Sequence, residues 1–144
     1  MAKTRRTITA VLPGYQRNRG QWRRAIHATV LQAAEKAGVR YDPADSLEVV
    51  VLLFLKKGKR LLIHDVDNRL KDILDALQGR FGRSKSPHRV IENDSRVYRV
   101  LMEKQKIPKR FGLDDNPGGR LMIRPYRRHR WPLQGPKATI LNRR

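Results

Sequence analysis

The run Leu47-Glu48-Val49-Val50-Val51-Leu52-Leu53-Phe54-Leu55 restricts the fold more than any other stretch of this chain. It is almost continuously apolar and rich in Val and Leu. A transmembrane helix needs about 20 such residues, so the run is too short to cross a bilayer. Its length and branching fit a β-strand, and the near absence of polar alternation predicts a central strand covered on its faces. A chain of 144 residues can build one core around such a strand, not two. There is no cysteine, which excludes disulfides, iron–sulfur clusters and thiolate zinc sites.

The flanking segments supply the remaining elements. Thr4 to Leu12 alternates and stops at Pro13-Gly14, as a strand does. Trp22, Ile26, Val30 and Ala33 or Ala34 recur at helical spacing until Gly38, where that helix ends. A basic turn, Lys56-Lys57-Gly58-Lys59-Arg60, precedes the short apolar step Leu61-Leu62-Ile63. From Asp65 to Gln78 the period is helical, with Leu70, Ile73, Leu74 and Leu77 facing the sheet and Gly79 as the stop. Gly79 to Arg89 reads as a basic surface loop. Arg96 to Gln105 reads as a strand with Tyr98, Val100 and Met102 toward the core. Pro117-Gly118-Gly119 predicts a turn, and Arg120 to Arg124 the returning strand of a hairpin. The order is βαβαββ, an α/β (α+β) domain with a mixed sheet of about four strands and two helices. It spans residues 1–124, and an Arg-rich tail covers 125–144.

Charge points to the partner. Thirty-three Lys and Arg against thirteen Asp and Glu leave +20. Self-repulsion of that size calls for a polyanion, nucleic acid before an anionic membrane surface. Residues 1–34 and 116–144 contain no acid, whereas Asp65, Asp67, Asp72, Asp75, Glu92 and Asp94 form an acidic island. Arg17, Arg19, Arg23, Arg24, Lys56, Lys57, Lys59, Arg60, Arg83 and Lys85 are expected to track phosphates. Trp131, among the tail arginines, would stack on an exposed base or simply pack. No apolar leader follows Met1-Ala2-Lys3-Thr4-Arg5-Arg6, so a cytoplasmic, nucleoid-associated location is expected.

Carboxylates repel a bound phosphodiester, so concentrating them is useful only where a cation sits between. Asp67, Lys71 and Asp75 fall on one side of the expected helix, and Asp65 stands just before it. Asp94 opens the next strand and could complete a three-carboxylate cup for a hard cation such as Mg²⁺. Each piece also has a plain structural explanation. Asp65 or Asp67 before a helix can be an N-cap. Asp67–Lys71 and Lys71–Asp75 can be surface ion pairs, and Asp94 a turn residue. Asp114-Asp115-Asn116 reads as turn chemistry.

Taken together, Asp65-Val66-Asp67-Asn68-Arg69-Leu70-Lys71 with Asp75-Ala76-Leu77 resembles the signature of the RusA family of Holliday-junction resolvases. Glu92-Asn93-Asp94-Ser95-Arg96-Val97 resembles the family's next landmark, and Gly118-Gly119-Arg120-Leu121 its last strand. The resemblance runs from about residue 4 to residue 124; the long 79–89 loop and the tail depart from it. It implies Asp65, Asp67 and Asp94 as ligands of Mg²⁺ (with Mn²⁺ as a substitute) and Lys71 as the catalytic lysine. Asn68 would orient a ligand carboxylate and Asp75 would anchor Lys71. The implied substrate is branched DNA, the four-way junction. The implied assembly is a homodimer, which also matches the near two-fold symmetry of a junction. Two other functions fit the same residues: a nuclease for other branched structures, and a non-catalytic basic protein associated with RNA or ribosomes.

Overall fold

The computed structural model describes residues 6–55, 66–112 and 116–127, with only the backbone of Val66 and Asp67. The elements run β1 (Ile8–Pro13), α1 (Arg19–Ala37), β2 (Leu47–Leu55) and α2 (Val66–Leu77). A single-turn 3-10 helix, Asp94–Arg96, then leads into β3 (Val97–Lys106), and β4 is Pro117–Pro125. This is the expected βαβαββ order with two helices and a four-stranded mixed sheet. The Lys56–Arg60 turn, the Leu61–Ile63 step and the tail beyond Arg127 lie outside the described residues.

β2 takes the central place that its composition predicts, paired with β4 on one side and β3 on the other in the order β1-β4-β2-β3. Among the described residues, helices cover one face only. Leu47, Val49, Val51 and Leu53 join Ile8, Leu12, Leu121 and Ile123 in a single core with Trp22, Ile26 and Val30 of α1 and Ile73, Ala76 and Leu77 of α2. On the opposite face of the sheet Val50 and Leu52 are half-buried, while Val11 and Leu101 are exposed. The expectation of a strand covered on both faces is therefore corrected. Glu48 on that open face is buried by its partners, with Arg99 at 3.1 Å and Arg124 Nε at 2.6 Å. Phe54 is buried beside Phe111, the ring centroids 5.7 Å apart.

Two further expectations change. β3 and β4 do not form a hairpin: β3 runs parallel to β2 on its outer side, and β4 inserts antiparallel between β1 and β2. Gly118 permits that insertion, because a Cβ there would collide with the Pro13 carbonyl oxygen. Tyr98, assigned by alternation to the core face, is 56% exposed and packs instead against Tyr126. An irregularity in register between Leu47 and Glu48 skips Tyr98 in the pairing. A bulged residue of this kind reverses the alternation that a regular strand would impose.

α1 begins and ends as its sequence dictates. The Asn18 side chain accepts from the Gln21 amide, and Gly38 closes the helix in the left-handed region at φ 68°. Trp22 fixes the helix to β1, its indole nitrogen donating to the Pro13 carbonyl at 3.0 Å. Among the described residues, no helix is long and apolar enough to cross a membrane.

Candidate functional site

The buried stripe of α2 contains Ile73 and Leu77, as expected, but extends to Arg69 and Asp72. Arg69, Asp72, Ile73, Ala76 and Leu77 are buried, as is Gln78 just past the helix, whereas Leu70 and Leu74 are half-buried. The stripe still follows helical spacing, but two of its positions carry charge.

Asp72 is fully buried and collects three arginines. Arg19 and Arg23 each donate through Nε to Oδ1 at 3.0 Å, and the Arg69 guanidinium lies 3.5 Å from Oδ2. Arg69 is itself buried, stacked 4.2 Å from the ring centre of Tyr15 and 5.5 Å from that of Trp22. Its buried Nε and Nη1 have no hydrogen-bond partner among the described residues, the approach of Nη1 to Asp72 being an ion pair. Asp75 meets Arg23 at 3.4 Å. The expectation that Asp75 anchors Lys71 is corrected: α1 brings Arg23 against that side of α2, while Lys71 is exposed. Arg19 and Arg23, expected on phosphates, spend much of their hydrogen-bonding capacity holding α1 to α2. The Arg19 guanidinium stays firmly charged, chiefly through its hydrogen bond to Asp72.

The expected metal ligands divide between two ends of the helical layer. Asp65 lies outside the described residues, and Asp67 stands in the first turn of α2. Asp94 opens the 3-10 helix, where it is exposed and forms no ion pair among the described residues. Three contacts place that turn at the far end. The amides of Val90 and Ile91 bond the carbonyl of Leu77, the last residue of α2. Glu92 shares a cavity with Gly38 and Arg40, just past α1. The Arg96 side chain holds the carbonyls of Ala44 and Asp45, before β2 begins. The other end is fixed by Arg69 against Trp22, near the start of α1. From Trp22 to Gly38 is roughly 24 Å of helix, so Asp67 and Asp94 of one chain are separated by on the order of 20 Å. Of the three expected ligands only Asp94 has a described side chain, and it lies at the end of the helical layer opposite the start of α2. Among the described residues, no three His, Asp or Glu converge as a metal site. The chemistry of Asp94, an exposed hard oxygen donor, still suits a hard cation.

The 79–89 loop is ordered against α1, which the sequence alone did not reveal. Arg80 and Lys85 form a β-bridge that closes a tight turn. His27, on the helix, reaches the His88 carbonyl at 2.6 Å and meets the Phe81 ring at 5.2 Å. Arg24 lies 5.4 Å from the centre of the same ring and bonds the Ser84 hydroxyl. Arg17, Arg83 and Lys85 are exposed, as phosphate contacts require. Lys56, Lys57, Lys59 and Arg60 lie outside the described residues, and Asn68 is exposed on α2.

No protein-family model matches this chain, and no curated protein matches it.

Proposed function

We propose that this protein is a Mg²⁺-dependent endonuclease of branched DNA, of the RusA type, acting as a homodimer on four-way junctions. The supporting observation is Asp94: exposed, without an ion pair among the described residues and four residues before a solvent-facing tyrosine, on a protein of charge +20. Its distance from the start of α2 defines the assembly that the reading needs. Asp65 and Asp67 of one copy would meet Asp94 of a second, so the metal would be held only in the dimer. The chemistry such an ion supplies is polarisation of the phosphate and activation of water. Lys71, one turn beyond Asp67 and exposed, would place its ammonium against the charge that develops on the phosphate. A two-fold dimer carries two such sites, one for each opposed strand. Manganese would substitute, and the work would be done in the cytoplasm at the nucleoid.

The test is complementation between two inactive variants on a synthetic junction with Mg²⁺. Asp67→Asn and Asp94→Asn should each abolish nicking while leaving junction binding intact or tighter, because each removes a charge that repels phosphate. Mixed and re-equilibrated, they form heterodimers with one intact shared site, and single nicks should return. A parent protein that binds the junction without nicking it favours the non-catalytic nucleic-acid protein instead. Nicking by the parent with no rescue in the mixture places all three carboxylates in one rearranged copy.

A further inference from the structure

The groove between the start of α1 and the Phe81–Arg83 turn is walled by arginines that the fold uses only in part. It encloses about 620 Å³ and is lined by Arg19, Arg23, Arg24 and Arg83, with Phe81 and, among the described residues, no carboxylate. The acids that pair with Arg19 and Arg23 are not among its lining residues. Asp72 and Asp75 meet Arg19 and Arg23 from α2 and fix their direction. Among the described residues no carboxylate pairs with Arg24 or Arg83. Arg24 is nevertheless held in place, by the face of Phe81 and the Ser84 hydroxyl. The turn owes its shape to Gly82, at φ 112°, a conformation that side-chain-bearing residues rarely adopt. The groove thus presents guanidinium groups from two walls, already positioned and short of counter-charge.

We infer that this groove is a phosphodiester subsite that grips one strand of the nucleic acid beside the proposed cleavage site. Guanidinium forks match phosphate oxygens in geometry as well as charge. Two opposed walls suit a continuous strand, which offers successive phosphates, better than a single free anion. Lys71 follows immediately after Leu70 and precedes Asp72, whose carboxylate touches Arg19 and Arg23. The strand held here would therefore pass next to the start of α2. The inference rests on the nucleic-acid part of the proposed function and not on cleavage.

Fluorescence anisotropy with a labelled single strand, a duplex and a four-way junction, in EDTA over a salt series, tests it. Arg83→Ala, at an exposed position, should weaken binding severalfold and lower the slope of log affinity against log salt by about one phosphate contact. Arg24→Ala should do the same, and Arg24→Lys should keep most of the slope. Lys109→Ala, exposed after β3, is the control for loss of one positive charge. Slopes in the arginine variants equal to the parent's, or to that of Lys109→Ala, overturn the assignment. So does loss of binding to anionic vesicles in parallel with DNA, which would make the groove a membrane contact. The nuclease reading fails separately: a parent that never nicks in Mg²⁺ leaves these slopes untouched, whereas a failed subsite leaves nicking intact.

Discussion

Asp72→Asn should unfold this protein at a markedly lower temperature, although it changes one atom in a residue with no proposed chemical role. The substitution keeps the volume of the side chain and removes its charge. What remains is Arg69, almost wholly buried, and Arg23, whose side chain is 12% exposed, with no full counter-charge. Removing one partner from a buried pair costs about 3–5 kcal/mol, much of it the uncompensated charge left behind. Arg19 can turn to solvent, since its side chain is 43% exposed, so the lower end of that range applies. For a chain of this length, about 3 kcal/mol corresponds to a drop in Tm of roughly 10 °C. Thermal unfolding followed by circular dichroism measures it, with Glu103→Gln, exposed on β3, as the surface comparison. A shift no larger than that of Glu103→Gln would refute the account of Asp72 as the fastener between α1 and α2. Added salt should not mimic the loss, because a buried pair is poorly screened.

Gly118→Ala should cost about 1–3 kcal/mol by overpacking against the Pro13 carbonyl, read as a lower urea midpoint; an unchanged midpoint would remove glycine's role in seating β4. The pH dependence carries a defined sign at the edge of the sheet. The hydrogen bond from Arg6 holds the Asp45 carboxyl below its ordinary range. Its contribution to stability is therefore complete above the ordinary aspartate pKa and fades as pH falls through the lowered value. Asp45→Asn should be less stable than the parent at neutral pH, the gap closing in acid; a gap independent of pH would assign the effect to something other than this charge.

The fold was legible where periodicity and packing agree. Leu47–Leu55 reads as a strand and is one, and Trp22, Ile26 and Val30 mark the buried side of a helix that ends at Gly38. Tyr98 and the supposed hairpin were misread for a common reason. Alternation and turn residues report local geometry, whereas the register skip at Leu47 and the insertion of β4 are set by distant strands. The stripe 69-72-73-76 was hidden because a scan for apolar residues passes over Arg69 and Asp72. The acid-free opening of α1 held the clue, since Arg19 and Arg23 need a carboxylate before they can lie against another helix. Spacing along the chain also placed Asp94 plausibly beside Asp67, but a parallel crossover from β2 through α2 to β3 puts the start of β3 at the opposite end of the helix.

The internal use of acids separates the two halves of the functional reading. Asp45, Glu48, Asp72, Asp75 and Glu92 are each held by arginine, and the arginines so engaged are Arg6, Arg19, Arg23, Arg69, Arg89, Arg99 and Arg124. These pairs join β1 to the start of β2, α1 to α2, and β2 to both its neighbours. Carboxylates placed this way stabilise the fold and leave the outer basic surface unneutralised. Arg17, Arg24, Arg83 and Lys85 are exposed, and on the proposed reading they would hold a polyanion whether or not any phosphodiester is cut. Asp94 forms no such pair among the described residues. A free carboxylate on a surface meant for phosphate weakens binding unless a cation offsets it, so its neutralisation should distinguish a binder from a nuclease. In a pure binder Asp94→Asn tightens DNA binding with or without Mg²⁺. In the shared-site nuclease the gain appears only in EDTA, because with Mg²⁺ the parent's carboxylate is already offset by the ion.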